Sequence, residues 1–454
     1  MAKIAHLVVL MLENRSFDNF LGKLYPAGPG FDALTGDEWN PLHERDGSVR
    51  QIGVWNAGRA DPDVARIPDP DPGELFEDIN EQLFGLGGRP CAGPPPMSGF
   101  VDNYMRQPAA DKAPDPRAVM HYFTAAELPA TFALARAFGV SDRWFASAPC
   151  QTWPNRLFVH TGGNGRGRVN NTALPHPFFA RTIYPRLRRH GLDWRVYFHD
   201  LPQTASFVDL WPSLFRRFRL FEKEFAADAA AGRLPAYSFI EPRYLPGFLH
   251  KRVPNDAHPP HDVGYSEMLV ADTYNALRAS PAWERTLLVI LADEHGGCYD
   301  HAPPPAAVEP GGPYVDGFRF DRYGPRVPAI LASPWIPAGA VIRPPQDGPP
   351  FDHTSLIATL CRLFGLGPEP TPRAAAAPDL LEALSLPRPE NHGPERIDVT
   401  RTEPARDEVR ALRRAPRNGH QKTLLHPLAL APALLARGSG HVYGFRRRRK
   451  RRPS

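Results

Sequence analysis

The residues TLLVILADE, at positions 286–294, contain the clearest strand signal in the chain. Thr286–Ala292 is an almost continuous apolar run that ends at the acidic pair Asp293 and Glu294, and the stretch before it, Glu267–Arg278, has the spacing of an amphipathic helix. A helix that leads into a fully buried strand is typical of a parallel sheet covered by helices. The sequence therefore predicts an α/β fold.

Further strand and helix candidates extend this prediction to a mainly parallel central sheet that is sandwiched by helices. A helix is predicted from His353 to Phe364, with Asp352 or Thr354 placed to cap its start. Short apolar runs bounded by charged or turn residues are typical of buried strands. The additional strand candidates are Ile4–Leu12, Trp194–Phe198 and Val327–Ser333.

Long segments rich in proline and glycine interrupt the regular elements. The chain contains 54 Pro residues, so many connections must be extended loops. In α/β proteins the loops that leave the carboxyl ends of parallel strands build the active site. We expect these segments to form its walls or lids. They span residues 40–75, 86–98, 244–262 and 302–325.

The composition places the chain among soluble globular proteins. Of its 454 residues, 42% are hydrophobic and 23% are charged, which excludes a fibrous or wholly disordered protein. The four cysteines show no CxxC spacing, so neither a zinc knuckle nor a disulfide framework is indicated. Ile4–Leu12 is too short to span a bilayer and no small-residue cleavage site follows it. We expect a cytoplasmic protein.

The positive charge is concentrated near the end of the chain. Residues 387–454 contain 17 Lys and Arg against 6 Asp and Glu, whereas the net charge of the whole chain is +5, so residues 1–386 are acidic. We predict a catalytic domain over 1–386 and a basic, partly disordered tail over 387–454. The closing run Arg446–Arg452 is expected to be solvated or to contact an anionic membrane surface, without recognition of a specific nucleic acid.

Two polar segments follow predicted strands. Glu13 and Asn14, directly after the first strand, offer adjacent hard oxygen ligands for a divalent cation, although a polar strand end is also typical of a turn. Asp293 and Glu294 cannot both be buried as anions without a compensating positive charge, because neighbouring like charges raise each other's pKa. A cation would supply that charge. We expect His295, next to this pair, to contact a substrate.

A third segment, QTWPNR at 151–156, carries a candidate nucleophile. Pro154 suits the first turn of a helix, which places Thr152 beside the helix N-terminus, where anions are favoured. A metal-coordinated Thr152 hydroxyl could attack phosphorus, with Asn155 and Arg156 placed to hold phosphate oxygens. The same pattern is also typical of an ordinary helix start.

Taken together, these segments resemble the phosphoesterase family, which unites bacterial and plant non-specific phospholipases C with certain bacterial acid phosphatases in the alkaline-phosphatase-like superfamily. The likeness spans residues 6 to about 364 and does not include the tail. The segments that carry it are HLVVLMLENRSFDNFLG (6–22), MSGFVDNY (97–104), FALARAFGVSDRWFAS (132–147), TWPNRLFVHTG (152–162), SFIEPRY (238–244), HPPHDV (258–263), LADEHGGCYDH (291–301), YGPRVPAILASPWI (323–336) and DHTSLIATL (352–360).

The resemblance implies a fold, a reaction and a set of site residues. It implies one divalent cation, with Thr152 as both ligand and nucleophile, and two successive displacements at phosphorus through a phosphothreonine adduct. His258 matches a family histidine that faces the phosphate, and His353 is a further candidate for the same pocket. The implied metal ligands are Glu13, Asn14, Thr152, Asp293 and Glu294.

The sequence is compatible with more than one substrate, phosphate contact and location. Threonine at the nucleophile position resembles the phospholipases C and favours phospholipids such as phosphatidylcholine, whereas a phosphomonoesterase and an inactive binder of anionic lipid or nucleic acid are alternatives. Family members commonly carry a histidine before the Gly-Phe segment, but this chain has none between His43 and His121. That contact is expected to be lost or taken over by an acid such as Glu74. Many members are exported, so a non-classical export route is a further alternative.

Overall fold

The structure is a computed structural model that describes residues 3–58, 60–91, 93–108, 113–165, 167–174, 176–247, 252–415 and 417–425. Its strands are β1 (His6–Leu12), β2 (Trp39–His43), β3 (Val49–Gly53), β4 (Gly139–Ser141), β5 (Trp194–Phe198), β6 (Phe218–Leu220), β7 (Tyr237–Glu241), β8 (Thr286–Ala292), β9 (Ala329–Ala332) and β10 (Ala340–Val341). Its α-helices are α1 (Phe17–Leu21), α2 (Phe76–Phe84), α3 (Phe100–Arg106), α4 (Pro129–Ala137), α5 (Thr152–Thr161), α6 (Tyr184–Arg189), α7 (Leu214–Arg217), α8 (Ala226–Ala230), α9 (Val263–Arg278), α10 (Thr354–Phe364), α11 (Pro372–Ala376) and α12 (Arg406–Arg414).

The central sheet has eight strands in the order β10-β4-β9-β8-β1-β7-β5-β6. Neighbouring strands run parallel except at β9, which is antiparallel to both β8 and β4. The predicted α/β fold with a mainly parallel central sheet is confirmed. The predicted strands over 194–198 and 286–292 have the observed bounds, and the strand predicted over 327–333 is shorter, Ala329–Ala332.

Both faces of the sheet are covered, which explains why its strands are apolar without alternation. Along β1, Leu7 and Val9 contribute to a hydrophobic cluster on one face of the sheet, while Val8 and Leu10 contribute to a cluster on the other. All four side chains are fully buried. Burial of each such side chain stabilises the fold by roughly 1.5–3 kcal/mol.

The register between the two central strands brings their polar ends together. β1 and β8 pair in parallel, with Leu12 opposite Ala292. The next residues along each strand are therefore Glu13 and Asp293, at the same edge of the sheet. The carboxyl ends of parallel strands are where ligands bind in α/β folds.

The helices agree broadly with the prediction. α9 begins at Val263, earlier than predicted, because the Asp262 carboxylate accepts a hydrogen bond from the Gly264 N–H and caps it. At the start of α10 the Asp352 carboxylate accepts a hydrogen bond from the Thr354 N–H at 3.1 Å.

Among the described residues, no helix combines the length and the apolar character that a membrane span needs.

One segment predicted as loop contains regular structure. Within 40–75, β2 and β3 form an antiparallel hairpin in which His43 pairs with Val49. The turn between them contains Asp46-Gly47, and Gly47 has a φ of +86°. Asp-Gly between two strands is a strong hairpin signal, so this part of the loop prediction was wrong for a reason visible in the sequence.

The described part of the predicted tail packs against the domain. The Asn391 side chain donates to the Ala137 and Ile336 carbonyls at 2.8 and 2.7 Å, and Arg66 pairs with Glu408 at 2.9 Å. The boundary at residue 386 remains a prediction. The run Arg446–Arg452 lies outside the described residues.

Candidate active site

The end of β1 presents Glu13 and Asn14, both fully buried. Asn14 adopts a left-handed backbone conformation with a φ of +51°, which Asn tolerates better than most residues. Gly296 lies against its carbonyl, so closely that a Cβ at position 296 would collide with it. The Asn14 N–H donates to the Asp293 carboxylate at 3.1 Å. The ends of β1 and β8 therefore form one polar centre.

The Asn14 side chain lies between two carboxylates. Its Nδ2 is 2.6 Å from Oε1 of Glu294 and 2.5 Å from Oε1 of Glu74. Glu74 comes from the loop before α2, within the Pro/Gly-rich segment 40–75, so that segment does form a wall of this centre.

The buried acids Asp293 and Glu294 of this centre have raised pKa values. Burial raises the pKa of Asp293 to about 6, although Arg156 opposes the shift. The pKa of Glu294 is raised well above its usual range, first by burial and then by the charges of Glu74 and Asp293. A carboxylate whose pKa is raised in this way gains from a nearby positive charge. The centre therefore favours the binding of a cation.

The donor set fits a divalent cation that prefers oxygen ligands. Asn14 Oδ1 and Thr152 Oγ1 are buried and lack hydrogen-bond partners among the described residues, which costs free energy unless a ligand contacts them. Together with the carboxylates of Glu13, Asp293 and Glu294, they offer hard oxygens to such an ion.

Thr152 is the first residue of α5 and is fully buried. Arg156, one helical turn later and hence on the same helix face, lies with its Nε 2.9 Å from Asp293 Oδ2 and its Nη2 3.3 Å from Glu13 Oε1. This guanidinium ties α5 to the ends of both central strands. The Nη1 nitrogen of Arg156 has no hydrogen-bond partner among the described residues, so it remains available to an anionic ligand.

The Asn155 side chain contacts the backbone of the segment before α5. Its amide nitrogen donates to the Cys150 carbonyl at 2.7 Å, and its oxygen accepts from the Ala148 N–H at 3.0 Å. The side chain thus holds the loop that leads into α5. Its contact with substrate stays a prediction.

His258 lies between two acids and is fully buried. Its Nδ1 donates to the Pro259 carbonyl at 2.7 Å, while Nε2 is 3.3 Å from Glu74 Oε1. Burial opposes a charge on this ring, but Asp71 and Glu74 outweigh burial and raise the pKa of His258 well above its usual range. The imidazole is therefore expected to carry a proton on Nε2 at neutral pH.

His353 uses both ring nitrogens within the protein. Its Nε2 is 2.5 Å from the Asp293 carbonyl and donates to it, and the Trp144 indole donates to Nδ1 over 3.4 Å. Burial lowers the pKa of His353 to about 4, so the ring is neutral. The geometry favours a role in holding Asp293.

His295 lies behind the acidic pair. Its Nε2 is 2.8 Å from the Gln82 side-chain oxygen, and its ring packs edge-on against Phe100. Burial lowers its pKa to about 3. Its predicted contact with substrate is not tested by these distances and stays a prediction.

Two contributors were missed by sequence reasoning. The Nδ1 of His420, from the predicted tail, is 3.0 Å from Oε1 of Glu13, and the Gln203 amide donates to the same carboxylate at 3.2 Å. Burial alone would raise the pKa of Glu13, but His420 and then Arg156 and His258 lower it to about 2. No motif surrounds His420 or Gln203 that could have indicated these contacts.

Asp300 and His301, at the end of the family segment 291–301, lie in a separate cluster. Asp300 and Asp18 both pair with Arg326, each at 2.9 Å, and His301 pairs with Asp18 at 2.7 Å. Arg326 is fully buried and supplies the positive charge that these acids need. We therefore interpret this cluster as a structural ion-pair network.

Known proteins resemble this chain over most of its length. The model of the phosphoesterase family matches residues 4–367. Non-specific phospholipase C1 of Arabidopsis thaliana is 40% identical, over 80% of this chain and 67% of the relative. Phospholipase C A of Mycobacterium tuberculosis (strain ATCC 25618 / H37Rv) is 28% identical, over 86% of this chain and 78% of the relative. A solved structure from Vibrio parahaemolyticus, a protein in the alkaline phosphatase superfamily, covers 56% of this chain and 64% of that one at 14% identity with a TM-score of 0.34, a likeness too weak to carry an argument.

Proposed function

The chain belongs to the phosphoesterase family, and on that premise we propose that it is a metal-dependent phospholipase C that cleaves phospholipids such as phosphatidylcholine. It is a phosphoric ester hydrolase whose substrate is a phosphoester. One observation carries the proposal: a fully buried threonine hydroxyl without a partner among the described residues lies one turn from an arginine that pairs with Glu13 and Asp293.

One divalent cation would be held by Glu13, Asn14, Thr152, Asp293 and Glu294. When bound, it would lower the pKa of the threonine hydroxyl and stabilise the negative charge that develops on the phosphoryl oxygens. That the site binds one cation, and that this cation is divalent, are parts of the proposal. Arg156 would orient a phosphate oxygen with its unpartnered nitrogen, because a guanidinium is a strong donor to phosphate.

In the first step, Thr152 Oγ attacks phosphorus as the alkoxide, after its proton has gone to solvent, and the bond from phosphorus to the diacylglycerol oxygen breaks. His258 is placed to act as the general acid, since its Nδ1 is occupied by the Pro259 carbonyl and its protonated Nε2 forms no hydrogen bond within the described residues beside the 3.3 Å ion pair with Glu74. The proton goes to the leaving oxygen, diacylglycerol departs, and the phosphocholine group remains on Thr152.

In the second step, water attacks the phosphothreonine and the bond between phosphorus and Thr152 Oγ breaks. The neutral His258 left by the first step would accept the proton from water. His353, the further candidate for the same pocket, uses its two ring nitrogens to contact Asp293 and Trp144. We therefore assign the base role to His258 and a positioning role to His353.

The test uses purified protein that is stripped with a chelator and reloaded separately with Mg²⁺, Ca²⁺, Mn²⁺ or Zn²⁺. Release of phosphocholine from phosphatidylcholine vesicles is compared with release of inorganic phosphate from a soluble monoester. We expect phosphocholine release that requires one of these ions. Faster monoester cleavage would favour the phosphomonoesterase alternative, and no hydrolysis with any ion would favour an inactive binding protein.

Two further expectations concern the surroundings of the enzyme. Location in the cytoplasm remains a proposal. Contact between Arg446–Arg452 and an anionic membrane surface is also proposed from sequence alone, because that run is outside the described residues. Binding of the full chain to vesicles with and without anionic lipid would test it.

A further inference from the structure

We propose that Glu74 makes this site selective for singly charged phosphodiesters over doubly charged phosphomonoesters. The proposal rests on the phosphoesterase function proposed above and assigns part of its substrate choice to one side chain. Glu74 is 6% exposed, so its carboxylate is largely removed from water.

Glu74 lies between two groups that the reaction uses. Its Oε1 is 2.5 Å from Nδ2 of Asn14, a proposed metal ligand, and 3.3 Å from Nε2 of His258, the proposed general acid. A phosphoryl group that contacts the cation held by Asn14 and receives help from His258 must approach both. It therefore comes close to the Glu74 carboxylate.

The loop that carries Glu74 is clamped in place. Gln82 donates to the Gly73 carbonyl at 2.7 Å. Gly297 packs against the same carbonyl: it has a φ of +66°, and a Cβ there would lie 2.6 Å from Pro72 Cβ and 2.8 Å from the Gly73 oxygen. This close packing keeps the carboxylate of Glu74 in the site.

The two groups that contact Glu74, Asn14 and His258, each contact a second acidic side chain as well. The Asn14 amide contacts both Glu74 and Glu294, and His258 lies between Glu74 and Asp71, with its Nδ1 3.6 Å from Asp71 Oδ1. Within the described residues, the ion pair of Glu74 is with His258 and includes no arginine or lysine. Once His258 has given its proton to the leaving group, the negative field of the Glu74 carboxylate acts on the phosphoryl group without this cationic partner.

This field acts differently on the two substrate classes. A phosphodiester carries one negative charge, whereas a phosphomonoester carries two above its second pKa of roughly 6. In a site of reduced dielectric constant, like charges a few ångströms apart repel each other more strongly than they do in water. The additional charge of the monoester is therefore disfavoured.

A merely structural role for Glu74 makes a different prediction. If the side chain only braced Asn14, its loss would slow both substrate classes by the same factor. The ratio of kcat/KM for a monoester to that for a diester separates the two roles, because only a charge effect changes the ratio.

The experiment compares wild type with Glu74→Gln at pH 8 and saturating metal, with p-nitrophenyl phosphate as the dianion and ethyl p-nitrophenyl phosphate as the monoanion. Glutamine keeps the acceptor for Asn14 and removes the charge. In Glu74→Gln we expect the monoester-to-diester ratio of kcat/KM to rise by roughly tenfold or more. Glu74→Asp keeps the charge and should have a ratio near that of wild type. Glu44→Gln, at an exposed glutamate, is the control and should leave the ratio unchanged.

An unchanged ratio in Glu74→Gln would overturn the inference, whereas a wild type that cleaves neither substrate would instead contradict the proposed function. Should Glu74→Gln fail to fold, competitive inhibition of the wild type by methyl phosphate and dimethyl phosphate supplies the test. Weaker inhibition by the dianionic methyl phosphate is expected. Equal or stronger inhibition by it would overturn the inference.

Discussion

The imidazole Nδ1 of His420 lies 3.0 Å from the carboxylate of Glu13, although 407 positions separate the two residues. His420 is fully buried, and its ring packs against Trp153, the residue after the proposed nucleophile. Thr423 reinforces the contact, because it accepts a hydrogen bond from the Trp153 indole at 2.8 Å. A segment outside the matched family region, residues 4–367, thus contacts a proposed metal ligand.

Replacing His420 by Ala should weaken metal binding. A residue that orients a metal ligand typically contributes roughly 10- to 100-fold in affinity, and Glu13 would lose its closest imidazole partner. Isothermal titration calorimetry with the divalent ion that supports activity measures the effect. His392→Ala, at an exposed histidine of the same tail, is the control and should bind metal as wild type does. Equal affinities in the two variants would contradict the assigned role.

Replacing Thr152 by Ala should abolish turnover and leave the fold intact. Loss of a nucleophile typically lowers kcat by a factor on the order of 10³ or more, while the small change at the start of α5 is easily accommodated. Steady-state kinetics and circular dichroism together check this prediction. Thr152→Ser retains a hydroxyl and should keep measurable activity, along with a phosphorylated residue trapped on acid quench. Substantial turnover in Thr152→Ala would exclude Thr152 as the nucleophile.

Replacing Gly296 by Ala should destabilise the protein and reduce activity together. A Cβ at position 296 would collide with the Asn14 carbonyl, and Gly296 also has a φ of +62°. Gly191→Ala is a matched control, because Gly191 has a φ of +73° but open space around it. We expect about 1 kcal/mol of destabilisation in the control and roughly 2–4 kcal/mol in Gly296→Ala, measured by urea unfolding. Similar losses in both would show that contact with Asn14 is unimportant.

The ion pairs of His301 should make stability depend on pH in the alkaline range. Burial opposes the charge on His301, but hydrogen bonds to Asp18 and Asp32 raise its pKa to about 10. Because this pKa lies above that of an unfolded histidine, roughly 6.5, the stabilisation is complete below about pH 6.5 and is lost as the pH rises through about 10. The difference in free energy of unfolding between wild type and His301→Gln should therefore shrink by a few kcal/mol across this window. A constant difference would contradict the assigned pKa.

Local sequence patterns were sufficient to predict the fold class and the polar residues at the ends of β1 and β8. β1 and β8 are buried on both faces, so their apolar runs are continuous and easily recognised, and the polar residues that follow are the first ones that the sheet does not cover. The pairing of two such strands places Glu13 near Asp293. The Asp-Gly turn of the β2–β3 hairpin is an equally local signal. The prediction of a loop over 40–75 rested instead on the prolines in that segment.

The sequence by itself determined the sheet, the acidic strand ends and the threonine at the start of a helix, because each depends on residues close together in the chain. Only the tertiary structure decided that Glu74, Gln203 and His420 surround those acids, and that Asn155 and His353 contact the protein's own carbonyls. Apart from that of Asn155, these contacts join residues that are 60 or more positions apart in the chain. Which distant element a side chain faces follows from the packing of the whole chain, so no local pattern in the sequence indicates it.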